Sequence, residues 1–453
     1  MEKKTGKELI YQVMRHEETD RVPWVPFAGV HAGFLKHYGA DEVLKDSEKL
    51  YESLLEVVRL YRPDGLPVTF DLQLEAEILG CDLQWSNNSP PAVITHPLAD
   101  TDEVPSDRKI GKEEGRLPLV FDVVERLKKD VGKEVALYGL FCGPFTLASH
   151  LRGSSIFMKM LKDPDYMKRI MDWCTDISLS MCEYYIDSGV DVVAPVDPLI
   201  SQISPKHFEA YCAEPYRRIF DYIRERGSLS SFFVCGNAIK NIEVMCQTGP
   251  DAISVDENIP MAAVKEISDR YNVVAGGNIP LTTVMLFGSQ QDNMKAVVDM
   301  LDTLNHKNLI ISPGCDMPYN VPVQNGMACA QAIHDPESAR ALLANYSQED
   351  PTDGIEVELP DYGNLTKPLV ELFTLDPVAC AACTYMLAAV EEAKAIVGDG
   401  ADWGDYRYNK LEDIARMKKV GVANLPSIYI NGKLYYDSLI PTKEELIETI
   451  RNV

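Results

Sequence analysis

Two cysteines sit where a thiol could do chemistry. Cys235 ends the apolar run in "SFFVCGN", and Cys315 ends "LIISPGC". Each thiol follows a strand-like segment and stands at a turn. A thiolate there could bind a metal ion or act as a nucleophile. The alternative is a small apolar filler of the core. We expect that role for five other cysteines, namely Cys81, Cys174, Cys182, Cys212 and Cys329.

A third cysteine motif, Cys380-Ala-Ala-Cys383, opens a helical pattern further along the chain. A helix N-terminus favours the thiolate form, so this spacing indicates a redox-active pair with Cys380 as the exposed nucleophile. The alternative is a docking or dimerisation module with incidental cysteines. Eleven cysteines without a secretion signal argue against a disulfide framework and for metal or redox chemistry at a few of them.

Polar side chains also follow several apolar runs at the same relative position. Each one alone could be a helix cap or a turn former. Together they indicate a functional site built from strand ends. We predict catalytic roles for Asp197, Asp256 and Asn278. We predict substrate-binding roles for His31, Asp71 and Asn237.

Eight near-continuous apolar runs, separated by helical patterns, must position these side chains. Such runs are typical of parallel strands covered on both faces. They predict a (β/α)8 TIM barrel over residues 1–345, whose functional groups lie at the carboxyl ends of its strands. The predicted strands are Val22–Gly29, Leu66–Leu72, Glu134–Phe141, Val190–Asp197, Leu229–Gly236, Ala252–Glu257, Val273–Asn278 and Leu309–Cys315.

The remainder of the chain predicts a linker over 346–366 and a small α/β domain over 367–453. The linker is acidic and turn-rich. The domain has a strand, the cysteine pair, helices and a strand pair that turns at Asn431-Gly432. This succession resembles the thioredoxin-like family. The resemblance implies that Pro426, before the hairpin, is cis and lies against the cysteine pair.

Composition narrows the classes of partner. The chain has 69 acidic and 44 basic residues, a formal net charge of -25, and 46% hydrophobic residues. Such a charge repels phosphate backbones, so we expect no nucleic-acid partner. No apolar run is long enough to span a bilayer, and the amino terminus reads as an amphipathic helix. We therefore expect a cytoplasmic protein without a membrane partner, and a homodimer is possible.

Several segments of the first 345 residues resemble the uroporphyrinogen decarboxylase superfamily. The resemblance implies the barrel fold. The segments include "DRVPWVPFAGV", "FDLQLEAEILGC", "GLFCGPFTLASHLRG", "PVDPLISQISPKHFEAYCAEPYRRI", "VCGNAIKNIEVMCQTGPDAISVDENI", "GGNIPLTTVMLFGS" and "ISPGCDMPYNVPVQN".

The superfamily has two main branches, and the motifs favour one. Decarboxylases carry an arginine-rich signature after the first strand, whereas this chain reads "VPWVPFAGVHAGFL". Corrinoid-dependent methyltransferases, such as methylcobamide:coenzyme M methyltransferases, bind zinc through a histidine, a cysteine two residues on, and a distant cysteine. Cys235 and Cys315 match the two cysteines. Phe233 replaces the histidine, and Asp316 replaces the glycine after the second cysteine.

The resemblance implies a zinc-dependent methyltransferase. It would move a methyl group between cobalamin, carried by a partner corrinoid protein, and a small-molecule donor or thiol acceptor. A third zinc ligand must then replace the histidine. We favour Glu75 or Glu77; the other candidates are His31, Asp197, Asp256 and Glu257.

Three other functions remain open. One is a decarboxylase-like tetrapyrrole enzyme, and another is a non-catalytic binding barrel. The third is a thiol-disulfide oxidoreductase acting through Cys380 and Cys383. Cations near the first strands and loops would favour the decarboxylase. The candidates are Arg15, Arg21, Arg62 and Arg152.

Overall fold

The chain divides into two compact units, one ending at Ser347 and the other beginning at Gln348. The structure is a computed structural model, and it describes residues 4–375 and 381–453. Within those two ranges, no helix is both long and apolar enough to cross a membrane.

The first unit is a barrel of parallel strands, which confirms the predicted fold class. Within residues 4–347, seven strands pair in parallel in the order β1-β4-β5-β6-β7-β8-β9. An antiparallel pair, β2 with β3, lies in the long excursion after β1. The strands are β1 Gly65–Pro67, β2 Leu83–Gln84, β3 Ala92–Val93, β4 Ala136–Cys142, β5 Val192–Val196, β6 Leu229–Val234, β7 Ala252–Val255, β8 Val274–Ile279 and β9 Leu309–Pro313.

The segment around Trp24 closes the barrel between its first and last strands. Trp24 forms a parallel bridge with Ile311 of β9, and the Val25 amide donates to the Ile311 carbonyl at 3.0 Å. On the other side, the amide of Asp64 donates to the Trp24 carbonyl at 2.9 Å. The predicted strand Val22–Gly29 is therefore present as one short closing segment.

Helices surround the strands because apolar runs need cover on both faces. Every residue of β4, β5, β6 and β8 is buried. The helices are α1 Gly6–Met14, α2 His31–Phe34, α3 Ala40–Val43, α4 Ser47–Tyr61, α5 Leu74–Ile78, α6 Leu117–Asp130, α7 Pro144–Arg152, α8 Ile156–Lys162, α9 Pro164–Ser188, α10 Pro205–Tyr211, α11 Ala213–Glu225, α12 Ile242–Cys246, α13 Met261–Arg270, α14 Gln290–Thr303, α15 Val323–His334 and α16 Pro336–Leu343. Short 3-10 turns span Pro198–Gln202 and Ile239–Asn241, and a π-helical turn spans Leu281–Leu286.

Capping residues set where these helices begin and end. Thr5 and Glu8 form a reciprocal capping box at the start of α1, whose apolar residues are buried as predicted. Asp163 caps the long helix α9, which Pro164 opens and Gly189 ends in a left-handed conformation. Local chemistry thus fixes the helix ends, and burial fixes the helix faces.

The second unit is a four-stranded sheet in the order β11-β10-β12-β13. Strand β11 runs parallel to β10, while β12 and β13 run antiparallel to their neighbours. The strands are β10 Leu369–Thr374, β11 Asp402–Arg407, β12 Ser427–Ile430 and β13 Lys433–Asp437. The helices are α17 Ala381–Val397, α18 Leu411–Val420 and α19 Lys443–Arg451, with a 3-10 turn at Gly398–Gly400.

Two features of this unit add to the sequence prediction. The hairpin turns at Asn431 and Gly432, both with positive φ, as the sequence predicts. The stretch predicted as a linker makes hydrogen bonds inside the unit: Tyr362 donates to Glu371 at 2.7 Å. The fully buried Glu371 also pairs with Arg416 at 2.6 Å. Part of the segment 348–366 is therefore held in place by β10 and α18.

Candidate functional site

The two matching cysteines meet at the carboxyl ends of the barrel strands. Cys235 directly follows β6, and Cys315 lies two residues beyond β9. The structure joins them as a disulfide with a Cα–Cα distance of 6.2 Å. Both side chains are partly buried and pack on the barrel core. Residues separated by 80 positions in sequence thus share one point at the barrel mouth.

Phe233, at the position of the family histidine, belongs to an aromatic cluster inside the barrel. Its ring lies 4.7 Å from that of Phe27 and 5.5 Å from that of Phe70. All three rings are at least 95% buried. A phenyl ring offers no lone pair to a metal ion, so this position contributes apolar packing beneath the cysteines.

The residues present do not complete a zinc site. A catalytic zinc ion takes three protein ligands and leaves a fourth position open. The structure supplies two sulfurs, and within residues 4–375 and 381–453 no three histidine, cysteine or carboxylate side chains converge on one point. We therefore derive no step through zinc.

Glu75 and Glu77, the favoured third ligands, make other contacts. The Cys142 amide donates to Glu75 Oε1 at 3.0 Å, whereas Oε2 is buried without a hydrogen-bond partner. Burial raises the pKa of Glu75 to about 8, with the Asp71 charge adding to the rise. Glu77 accepts from Arg116 Nε at 2.7 Å. Burial therefore favours the protonated form of Glu75, and Glu77 is part of an ion pair.

Asp71, predicted to bind substrate, is 3% exposed and pairs with Arg116. Its other oxygen accepts from the Gln73 amide at 3.0 Å. Arg116 also lies over the Trp85 ring, and its Nη2 is buried without a partner. Asp71 and Arg116 thus form a salt bridge at the mouth, in which Nη2 of Arg116 donates no hydrogen bond.

Asp197, predicted to be catalytic, caps α7. It accepts from the Phe145 and Thr146 amides, both at 3.0 Å, and from the Tyr216 hydroxyl at 2.6 Å. The Thr146 hydroxyl donates a fourth bond. Burial raises the pKa of Asp197 to about 6 although these bonds oppose the shift. Both carboxyl oxygens of Asp197 therefore accept hydrogen bonds from groups within the barrel.

Asp256 and Asn278 hold the loop between β7 and α13. Asp256 accepts from the Asn258 amide at 2.8 Å, and Asn278 donates to the carbonyls of Asp256 and Ile259 at 2.9 and 2.7 Å. The neighbouring Glu257 accepts from the Leu281 amide, and burial raises its pKa to about 8. These side chains shape the mouth, and the catalytic roles predicted for Asp256 and Asn278 stay predictions.

His31 lies in the core with both ring nitrogens occupied. Nδ1 pairs with the Tyr319 carbonyl at 2.8 Å, and Nε2 accepts from the Tyr61 hydroxyl at 2.7 Å. Burial lowers its pKa to about 4, so the ring is neutral. Neither nitrogen is available to a metal ion or substrate. Asn237, predicted to bind substrate, accepts from the Ile239 amide at 3.4 Å just beyond Cys235.

Besides Arg116, two further residues of the mouth were missing from the predicted set. Asp316 approaches Gly29 so closely that a β-carbon there would lie 1.9 Å from Oδ1, and Oδ1 is buried without a partner. His150, on α7, is 4% exposed with an unpartnered Nε2. Burial lowers the pKa of His150 to about 4. Asp316 was visible in sequence as the replacement of a family glycine, whereas His150 carries no local signal.

The remaining cysteines fall into two groups. Seven in the barrel are free and buried, and they include all five for which a core role was predicted, so that prediction is confirmed. Cys383 is also buried, in the first turn of α17, whereas Cys380 lies outside the described residues. Pro426 directly precedes β12, and the Leu425–Pro426 bond is cis.

Known proteins resemble this chain along its barrel. The methylcobamide:CoM methyltransferase MtbA of Methanosarcina acetivorans is 26% identical over 328 residues, which span 71% of this chain and 95% of MtbA. The uroporphyrinogen decarboxylase of Prochlorococcus marinus is 25% identical over 342 residues, which span 72% and 95%. The chain therefore spans almost the full length of relatives in both branches.

A solved structure and a family model also match the barrel. The solved "methyltransferase from Methanosarcina mazei" superposes with a TM-score of 0.66 at 23% identity, covering 76% of this chain and all of the other, and shows the shared fold. The uroporphyrinogen decarboxylase (URO-D) family model matches residues 5–336. The chain therefore belongs to the uroporphyrinogen decarboxylase (URO-D) family.

Proposed function

We propose that the barrel is a corrinoid-dependent methyltransferase. It moves a methyl group between cobalamin, carried by a partner corrinoid protein, and a small-molecule donor or thiol acceptor. The observation that carries the proposal is the meeting of Cys235 and Cys315 at the mouth, at the positions of the two metal-binding cysteines of that branch. The similarity to methylcobamide:CoM methyltransferases over 71% of the chain supports it.

In the acceptor direction, the chemistry is a nucleophilic displacement. An acceptor thiolate attacks the methyl carbon; a carbon–sulfur bond forms, and the methyl–cobalt bond breaks with its electron pair left on cobalt. Thiolate is the reactive form of the acceptor, so the mouth must exclude water and orient the sulfur. Zinc is the cofactor that the family resemblance implies, and once the disulfide is reduced Cys235 and Cys315 would supply two of the three protein ligands that a catalytic zinc ion takes.

Two of the four arginines that could bind a polycarboxylate are engaged elsewhere. Arg21 forms a bidentate pair with Asp64, next to the amino end of β1. Arg152 donates to the carbonyls of Leu98 and Thr101. A tetrapyrrole with many carboxylates would need free cations at the mouth. The decarboxylase alternative is therefore the weaker one for this chain.

We propose a thioredoxin-like role for the second unit. Its sheet order, with one parallel and two antiparallel neighbours, and the place of Cys383 in the first turn of α17 support it. In this role Cys380 and Cys383 exchange electrons with a partner thiol or disulfide. The pair would be oxidised as the partner disulfide takes up two electrons and two protons.

A methyl-transfer assay tests the barrel proposal. Anaerobic, reduced protein is mixed with methylcobalamin and a panel of thiols, and demethylation is followed by absorbance. Cys235→Ser and Cys315→Ser should each lower the rate by about a hundredfold or more, because the sulfurs at the mouth are lost. Cys246→Ala, at a buried cysteine on α12, is the matched control.

Full activity in both serine variants would contradict the role of the pair. Zinc titration of the same proteins measures metal binding separately from methyl transfer. We expect weak binding that Cys235→Ser abolishes, because two thiolates hold zinc less tightly than three ligands do. Unaltered zinc binding in Cys235→Ser would contradict a metal site at the mouth.

A further inference from the structure

The bond between Cys235 and Cys315 sets this pair apart from the other cysteines of the barrel. The Cα atoms of the two residues lie 6.2 Å apart, within the range that a disulfide bond requires. Both side chains are half-buried, so part of each faces solvent. Within residues 4–347, the other seven cysteines are free and buried. Thiol–disulfide exchange needs an accessible sulfur, so in the barrel it is confined to this pair.

The surroundings of the pair suit bonding between the two sulfurs better than a resident metal ion. Phe233 offers no lone pair at the position of the family histidine. In the part of the chain that the structure describes, no third histidine, cysteine or carboxylate joins the two sulfurs to complete a metal cluster. A sulfur within a disulfide bond carries no thiolate charge for a metal ion. The bridged and reduced forms of the pair therefore differ in chemistry.

The turn after Cys235 rests on the loop 256–259, which connects β7 to α13. The Gly236 amide donates to the Asp256 carboxylate, whose residue is 3% exposed. Gly236 has a φ of +78°, which favours glycine. A β-carbon at Gly236 would lie 2.9 Å from the Ser201 hydroxyl oxygen. The turn that carries Cys235 is thus held from two sides.

The turn before Cys315 packs on the same loop. Gly314 directly precedes Cys315, and its amide donates to the Ile279 carbonyl at 3.0 Å. A β-carbon at Gly314 would lie 2.6 Å from the Glu257 amide nitrogen, a distance at which real β-carbons are essentially never found. The lack of a side chain at Gly314 therefore allows this turn to lie against the loop 256–259.

Asn278 in turn fixes the loop 256–259. Its side chain donates to the carbonyls of Asp256 and Ile259 at 2.9 and 2.7 Å, so both ends of the loop are tied to β8. One fixed loop thus supports both cysteine turns. The two sulfurs are held near each other, which raises the effective concentration of one toward the other.

We propose that Cys235 and Cys315 form a reversible dithiol–disulfide couple, with small disulfides as the oxidant and small thiols as the reductant. In the oxidising direction, one cysteine thiolate attacks the small disulfide, which forms a mixed disulfide and releases one small thiol. The other cysteine thiolate then attacks the protein sulfur of the mixed disulfide. The Cys235–Cys315 bond closes, and the second small thiol leaves. Two electrons and two protons pass from the protein to the small disulfide.

The couple has a consequence for the barrel mouth. The bridged form has no thiolate there, so it should not carry out the proposed methyl transfer, whereas the reduced form should. Only this consequence rests on the proposed function, because the couple itself needs neither a corrinoid nor a metal ion.

Redox titration of the full-length protein tests the couple. The protein is equilibrated anaerobically with reduced and oxidised glutathione at graded ratios, quenched with acid, alkylated and digested, and its peptides are quantified by mass spectrometry. We expect a pair of peptides joined through Cys235 and Cys315 to appear with a single midpoint. Peptide mapping distinguishes this pair from Cys380 and Cys383.

Gly314→Ala tests whether the shared loop sets the geometry. The added methyl group must push the Cys315 turn away from Glu257, so the equilibrium constant for oxidation by glutathione should fall by about tenfold or more. Gly363→Ala is the matched control, because Gly363 is exposed and its β-carbon would lie 3.4 Å from the nearest atom. If circular dichroism shows that Gly314→Ala does not fold, Asn278→Ala, which releases the loop, gives the second reading.

Two results of the titration would overturn the proposal. One is a wild-type protein with no disulfide between these cysteines at any ratio, including one that forms only separate mixed disulfides with glutathione. The other is an unchanged equilibrium constant in a folded Gly314→Ala variant, which would show that the loop does not hold the pair together.

The methyl-transfer assay separates the couple from the enzyme assignment. We expect the oxidised protein to lose about tenfold or more of its transfer rate and dithiothreitol to restore it. Full transfer by the oxidised protein would overturn the consequence drawn for the mouth. A couple without methyl transfer in either form defeats only the enzyme assignment, whereas transfer without a couple defeats only this inference.

Discussion

Glu75 shows how a single buried carboxyl group couples the site to pH. It is held at the end of β4 by the Cys142 amide, and its side chain is buried. Its pKa of about 8 in the folded state compares with 4.5 for the free side chain. The folded protein therefore binds one more proton than the unfolded chain between pH 4.5 and 8, and the stability that this proton gives is lost as the pH rises through that window.

The first prediction concerns Glu75→Gln. The wild type should lose on the order of 3 kcal/mol of unfolding free energy between pH 5 and 8 from this residue. The variant, which has no titrating group there, should show a shallower slope and greater stability at pH 8. Urea unfolding at several pH values measures both. Glu125→Gln, at an exposed glutamate of α6, should follow the wild type, and a parallel slope in Glu75→Gln would refute the burial argument.

At the same scale, sequence reasoning found the cysteines and missed much of their surroundings. Cys235 and Cys315 could be predicted because each thiol ends an apolar run, although Phe233 and Asp316 replace two other residues of the motif. The burial of His31 in the core could not be predicted, because its hydrogen-bond partners Tyr61 and Tyr319 are distant in sequence. Arg116 was missed because it comes from a turn before α6, 45 residues after the Asp71 it pairs with. Such pairings depend on tertiary folding, which leaves no local pattern.

At the scale of elements, barrel closure depends on Asp64. This carboxylate is 1% exposed, accepts two bonds from Arg21 at 2.6 Å and a third from the Trp24 amide at 2.8 Å. It therefore ties the short closing segment to β1. On the same side of the segment, the Asp64 and Gly65 amides donate to the Trp24 carbonyl at 2.9 and 3.3 Å, so side-chain and backbone bonds together close the barrel there.

The second prediction is that Asp64→Ala lowers the unfolding free energy of the barrel by about 3–5 kcal/mol, because it leaves the guanidinium and an amide without their acceptor. Urea unfolding followed by tryptophan fluorescence measures the loss. Glu56→Ala, which breaks an exposed pair with Arg59 on α4, should cost less than about 1 kcal/mol. Equal losses in the two variants would show that closure does not depend on this carboxylate.

Strand prediction succeeded where strands are apolar on both faces and failed where they are not. The predicted runs match β4 to β9 to within two residues at each end, because strands that are buried on both faces are apolar at nearly every position. Strand β11, "DWGDYR", was missed since its residues are exposed or half-buried and read as a polar turn. The short pair β2 and β3 was hidden in the turn-rich excursion for the same reason.

At the scale of the whole molecule, each unit has a core of its own. Within the described part of the second unit, buried residues such as Val370, Met386 and Ile428 form a cluster between the sheet and α17 and α19. The segment 348–366 adds the Tyr362–Glu371–Arg416 network. The residues of this cluster all lie after Gln348.

The third prediction is that residues 348–453 fold as an isolated fragment. We expect one cooperative thermal transition and a native-like circular dichroism spectrum. A fragment that begins at residue 367 should be less stable, because it lacks the Tyr362 bond to the buried Glu371. If the shorter fragment proves equally stable, the segment 348–366 is a passive linker. The longer fragment also allows dithiol oxidation of Cys380 and Cys383 to be measured without the barrel cysteines.

The side chain at position 233 can either pack the barrel or bind a metal ion. A histidine there would supply a metal ligand and lose apolar packing, whereas the phenyl ring of Phe233 keeps the packing and offers no ligand. Because Phe27 and Phe70 pack against this ring, replacing it with histidine would leave a void that its neighbours must refill before any metal could bind tightly. A change from phenylalanine to a histidine ligand should therefore need compensating substitutions at the neighbouring rings.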